Sequence, residues 1–251
     1  MDSRLIGVIT IVLAVFGVAC GYLVWKASAP VVTTTTTTGA TTTTTTTSSS
    51  TAQVGVIELP EPRYDSDVSI EEVLLERRSV RSYTGEPLTL QDVSQLLWAA
   101  QGITDSEGHR TAPSALATYP LEVYVVVGNV ENLAEGIYKY EPLGHEIVKV
   151  IDGDKRDELS AAAMGQTSVR DGAIDIVITA VYERTTAGFG DRGIRFVHLE
   201  AGHAAQNVCL QATALNLGTV TVGGFDDEQV KELLNPTENE QPLYIMPVGR
   251  M

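Results

Sequence analysis

Glu76-Arg77-Arg78-Ser79-Val80-Arg81 sets three guanidinium groups side by side in a chain with 32 Asp plus Glu against 17 Lys plus Arg. Cations so crowded repel one another unless they share an anion. Arginine offers a planar fork of donors that fits phosphate or the carbonyl edge of a ring, and the Ser79 hydroxyl adds a further donor. Taken alone, the run also reads as a solvated basic helix end that complements the macrodipole. The flanking segments decide between the two.

Upstream, Ser69-Ile70-Glu71-Glu72 has the form of a capping box, and Ile70, Val73 and Leu74 share one face, so a helix leads into the run. Downstream, Thr89 and Asp92 open a second helix over 89–101, with Val93, Leu96, Leu97 and Ala100 on its apolar face and Gly102 as its stop. Residues 121–127 and 174–182 are short runs of β-branched and aromatic residues and read as central, buried strands. Between them, 136–140 and 146–151 form a hairpin through Glu141-Pro142-Leu143-Gly144. The longest element is a helix over 194–217 closed by Gly218, whose Ala201-Gly202 and Ala204-Ala205 would let another helix approach closely. A strand over 219–222, a helix over 226–234 opened by Asp226, and a strand over 243–248 complete the chain. This order predicts an α+β layered fold, a central mixed sheet flanked by helices.

The 251 residues are 43% hydrophobic with a formal charge of -15, enough for one full domain with a core and the wrong sign for a phosphate backbone. Nucleic-acid binding is therefore not expected. Two cysteines, Cys20 and Cys209, give neither a disulfide framework nor a metal cluster. Residues 5–25, LIGVITIVLAVFGVACGYLVW, are uncharged and long enough to span a bilayer, which makes 1–29 a membrane anchor. A cleaved signal peptide is the competing reading, since Ala27-Ser28-Ala29 resembles a cleavage site, although Pro30 follows directly. Residues 30–51, nearly all Thr and Ser from Thr33 on, have nothing with which to build a core and form a solvated, disordered stalk. Such a tract fits an O-glycosylated stem or a plain spacer. Globular sequence then fills 52–251, and the arrangement suggests a single-pass anchor with the domain outside the cell.

Two motifs are weaker. Gly188-Phe189-Gly190-Asp191-Arg192-Gly193 spells a dinucleotide fingerprint, but residues 183–187 separate it from the preceding strand, so a mobile loop is the better reading. His198 and His203, five apart on a helix, face different ways and have no partner at ligand spacing. No metal site is expected.

From Ser69 to Arg250 the chain resembles the FMN-dependent nitroreductase family, in particular its SagB-type dehydrogenase branch. Arg77 to Arg81 looks like the family's opening signature, and 110–115 with 119–124 resembles the branch's Pro-Ser segment leading into a strand. Gly136 to Pro142 is similar to its hairpin and His198 to Asn207 to its long helix. Gly223-Gly224-Phe225 falls where backbone amides approach the flavin, and Val248-Gly249-Arg250 is similar to the last strand. Leu116 stands where the branch commonly has Gly, which would narrow the space beside the flavin.

The resemblance implies FMN as cofactor, held by Arg77, Arg78, Ser79 and Arg81, by Pro113, Ser114 and Ala115, by the amides of Gly223 and Gly224, and by Arg250. Arg78 should matter less than its neighbours. It further implies a homodimer with FMN at the interface, no catalytic side chain, and hydride transfer from a small-molecule donor such as NAD(P)H to an organic acceptor. A flavin-binding or redox-sensing module without turnover, an azoline dehydrogenase of peptide maturation, and an adhesive surface domain are the alternatives.

Overall fold

The computed structural model describes residues 55–251. The anchor and stalk expected over 1–51 lie outside the described residues. Among those described, no helix is long and apolar enough to cross a membrane.

Seven strands form one sheet: β1 (Val56–Glu58), β2 (Leu121–Val127), β3 (Gly136–Glu141), β4 (Glu146–Asp152), β5 (Ile174–Ala180), β6 (Leu217–Thr219) and β7 (Gln241–Arg250), in the spatial order β1-β4-β3-β2-β5-β7-β6. The strands at 121–127 and 174–180, the latter two residues shorter than expected, are its centre, and the 136–152 hairpin pairs Glu141 with Glu146 across its turn.

Every ladder is antiparallel, which corrects the expected mixed sheet. Parallel contacts are confined to isolated bridges such as Ser79 with Thr219 and Leu88 with Val130. Alternating helices and strands suggest parallel crossovers, but here the crossing segments run on along the sheet before turning. The chain after β6 follows β7 as far as a bridge between Val222 and Ile245, so it returns antiparallel despite an intervening helix.

Side-chain alternation builds two cores. Val123, Val125, Ile174, Ile176, Ile178, Met246 and Val248 face α2 (Leu90–Gln101) and α6 (Arg192–Ala214). Tyr124, Val126, Val177 and Ile245 face the other layer, made by α3 (Arg156–Ala162), α4 (Thr167–Asp171) and α7 (Asp227–Leu234). α2 begins with a complete capping box, Thr89 N–H donating to Asp92 at 2.9 Å and Asp92 N–H to the Thr89 hydroxyl at 3.1 Å. Its four predicted apolar residues are all fully buried.

Several elements differ from expectation; the strand read over 219–222, for one, is β6 at Leu217–Thr219. α1 (Ile70–Glu76) has Ser69 as N-cap, but only Val73 of its expected face is buried, and Ile70 and Leu74 stay exposed. α6 stops at Ala214, with left-handed Asn216 (φ +55°) beyond its end, while Gly218 lies inside β6 opposite Gly249. Residues 183–189 form a short helix, α5 (Glu183–Phe189), ended by Gly190 at φ +57°. The glycine-rich stretch is therefore a corner between two helices, not a loop over a site.

Candidate functional site

The Arg77–Arg81 run is a strap laid on the edge of the sheet. Arg77 closes α1, its N–H donating to Val73 O, and the backbone then turns extended. Val80 N–H donates to Thr219 O at 2.9 Å and Thr84 N–H to Arg250 O at 3.0 Å, so the strap is stitched to β6 and β7. Two glycines make the room. A Cβ on Gly218 would stand 2.6 Å from Val80 Cγ1, and one on Gly249 would stand 2.7 Å from the Tyr83 ring. The Tyr83 hydroxyl adds a bond to Val80 O at 3.1 Å.

The three strap arginines have different employment. Arg78 donates to the carbonyls of Leu75 and Arg77, both at 2.8 Å, and so caps the helix it follows. Arg77 and Arg81 have no hydrogen-bond or ion-pair partner among the described residues, and Ser79 is exposed beside them. Arg77 lies close to α6: burial pushes the Cys209 thiol up and the Arg77 charge partly offsets the rise. Arg250 forms a 2.7 Å ion pair with Asp92 that ties β7 to the start of α2.

Gly223 and Gly224 form an exposed turn between β6 and α7. Neither amide donates a backbone hydrogen bond, and a Cβ on Gly224 would meet nothing within 4 Å.

Pro113, Ser114 and Ala115 sit apart from the strap. With Phe196, Leu199, Glu200 and His203 they line a cleft of about 260 Å³ beside the first half of α6. The backbone that follows is strained. Leu116 and Ala117 both have φ +52° and Tyr119 has φ +43°, a left-handed region costly for residues with a Cβ. Leu116 thus occupies a conformation natural to glycine, and its side chain is 81% exposed and forms no part of this chain's cleft wall.

Glu200 is the site residue that the sequence reading missed. It is 3% exposed, and its Oε1 has no hydrogen-bond partner. Burial pushes its carboxyl up to about 7, against the pull of the Ser114 hydroxyl and the Arg110 guanidinium. The signal was there: an acid three residues after Val197 and four before Ala204 falls on a buried helix face. Of the two histidines, His198 stacks edge-on with Tyr182 and bonds its hydroxyl, whereas His203 is exposed at the cleft.

A larger cavity of about 320 Å³ lies between α1, α2 and α6, lined by Val73, Trp98, Asn207 and Leu210 among others. Among the described residues it has no titratable side chain in its wall. No cluster of metal ligands is present among the described residues.

The pattern that defines the nitroreductase family matches residues 74–250, and the chain belongs to that family. A Methanocaldococcus jannaschii protein named as a nitroreductase is 50% identical over 194 residues, covering 77% of this chain and 96% of that one. A Ralstonia eutropha structure titled as a nitroreductase superposes with a TM-score of 0.69 at 31% identity, covering 78% of this chain and 89% of that one. An NADPH-flavin oxidoreductase of Vibrio harveyi is 28% identical over 186 residues, 71% of this chain and 64% of its own length.

Proposed function

We propose that the chain is an FMN-dependent oxidoreductase of the SagB-type dehydrogenase branch, passing hydride from NADH or NADPH to a small organic acceptor. The observation that carries this reading is the pair Arg77 and Arg81, cations without partners among the described residues, held on a strap stitched to the sheet by backbone bonds. The residues present fit the cofactor. Two free guanidinium groups and the Ser79 hydroxyl suit its phosphate and pyrimidine edge, and the unbonded amides of Gly223 and Gly224 suit its ring nitrogens. Arg250 supports that group through its pairing with Asp92, and Arg78 contributes by holding the helix end. FMN supplies the two-electron chemistry when bound; the protein holds it, orients it and shields it from water. A nicotinamide donor is supported by the name of the Vibrio harveyi relative.

The proposal includes a homodimer. Arg77 neighbours Cys209 and Ser114 neighbours Glu200, nine residues apart on α6, or about 13 Å along its axis. One chain therefore leaves its two sets of candidate contacts separated, and a second copy would bring the Pro113–Ala115 segment to the strap. The exposed Ile194 and Leu199 and the open surface at Gly202 suit such a contact.

We further propose that 1–29 anchors the protein, 30–51 is its stalk, and 52–251 is the domain carried outside the membrane, on the length of the apolar run and the Thr/Ser composition.

The decisive experiment is the visible spectrum and mass of the purified full chain. A yellow dimer that oxidises NADH or NADPH is expected. A colourless monomer that stays colourless through FMN titration overturns the reading. Protease added to intact cells tests the placement: release of the domain is expected, and protection until lysis would put it inside.

A further inference from the structure

We propose that Glu200 is the acid that gives a proton to an acceptor bound in the cleft of Pro113, Ser114, Ala115, Phe196, Leu199 and His203. This rests on the oxidoreductase reading above.

Three observations converge on it. Among the described residues, Glu200 is the only carboxyl group in the cleft wall, which is otherwise apolar but for Ser114 and His203. Its Oε1 touches no donor or acceptor although the residue is almost wholly buried. It also lies on the core face of α6 between Val197 and Ala204, where an uncompensated carboxylate is costly and a neutral carboxyl is favoured. The charged or titratable groups near it are Arg110, on the segment that carries Ser114, and His203 on its own helix. Arg110 is already engaged with Gln101 Oε1 at 2.7 Å and stacks over Tyr119 at 4.5 Å, so it is not a dedicated counter-ion. With its carboxyl pushed up to about 7, Glu200 is poised to lose and regain a proton at neutral pH.

An acceptor reduced by hydride gains two electrons and one proton, and is left one proton short of a neutral product. The O–H bond of Glu200 breaks, the proton goes to the heteroatom of the acceptor, and the electron pair stays on the carboxylate. Solvent restores the proton through the mouth of the cleft, where His203 is exposed. The reductant is the reduced nicotinamide.

The test separates the two half-reactions in the FMN-loaded full chain, with a water-soluble quinone as acceptor. Glu200→Gln keeps the shape and a hydrogen-bond donor but has no acid proton. Reoxidation by quinone should fall roughly 100-fold more than reduction of bound FMN by nicotinamide does, with KM for the quinone little changed. Infrared spectroscopy reads the group without turnover: a carboxylic C=O band that titrates near neutrality is expected in the wild type and should be missing from Glu200→Gln. Should the Gln variant fail to hold FMN, Glu200→Asp must shift both the band and the pH profile of reoxidation. A wild-type chain that binds no FMN overturns the functional reading and this proposal with it. A wild type that turns over while its variants match it in rate and pH profile, or that shows no titrating band, overturns this proposal alone.

Discussion

In the mid-sheet network around Glu240 every charge is paired; at the sheet's edge two cations are not. On β2, β3 and β5 the side chains of Glu122, Lys139 and Thr179 are cross-strand neighbours, and Glu240 reaches in beside them. Lys139 Nζ pairs with Glu122 and with Glu240, each at 3.0 Å, and Arg184 links Glu122 to Glu238. Glu240, 1% exposed, also accepts from Tyr124 and Thr179. Arg77 and Arg81 have nothing comparable. A buried charge has to be matched within the fold, so the Glu240 network reads as structure. Cations carried on a strap held by backbone bonds, without counter-ions among the described residues, read as a site awaiting an anion.

The contrast can be broken by substitution. Lys139→Met strips the cation from buried Glu240 and from part-buried Glu122 and should cost about 3–5 kcal/mol in urea unfolding. A loss below about 1 kcal/mol would mean that the network holds nothing together. At the edge the effect should be on ligand and not on fold. Arg77→Ala or Arg81→Ala should weaken FMN binding by about 1.5–3 kcal/mol, roughly 10- to 100-fold by fluorescence titration, with an unchanged melting temperature. Arg78→Ala should leave FMN affinity nearly intact, because its donors already serve the end of α1.

Asp175 sharpens the comparison, because it is buried at mid-sheet yet neither carboxylate oxygen has a partner. Burial raises its carboxyl well above the usual range, with Arg156 only partly offsetting the rise. The folded chain then holds a proton that the unfolded chain releases. Stability at this group is greatest below the ordinary aspartate pKa of about 3.9 and falls as pH rises toward the folded value. Asp175→Asn should remove that slope and stabilise the domain at pH 7 by roughly 1–3 kcal/mol, seen as denaturation midpoints that converge at acid pH. Smallest of all, Leu116→Gly should relieve a left-handed φ of +52° at the expense of unfolded-state entropy, moving stability by less than about 1 kcal/mol. A large loss would mean that the exposed leucine packs against something, such as a second copy.

What could be read from the sequence was local. Thr89 with Asp92, Ser69 and Asp226 announced three helix starts because a cap bonds within four residues, and the strands at 121–127 and 174–180 announced themselves by composition. Gly218 was misjudged because its role is to receive Val80, more than 130 positions away, and not to close a helix. Strand direction was lost for the same reason, since a ladder's polarity depends on where the chain travels between strands. The site divided along that line. Arg77, Ser79 and Arg81 stood out as a run, whereas the commitment of Arg250 to Asp92 and the isolation of Glu200 depend on partners, or missing partners, supplied by packing.

The seating of the strap also has a chronology. Val80 is held by Thr219, and Thr84 by Arg250. The strap arginines, synthesised early in the domain, thus wait for its final residues before they have a place to lie. A chain still on the ribosome, short of β7, has no seat for Arg81 and nothing with which to grip a phosphate. On the flavoenzyme reading, cofactor capture is then an event of the finished polypeptide, and a cell that threaded this chain through a membrane unfolded would have to provide flavin on the side where the last strand closes.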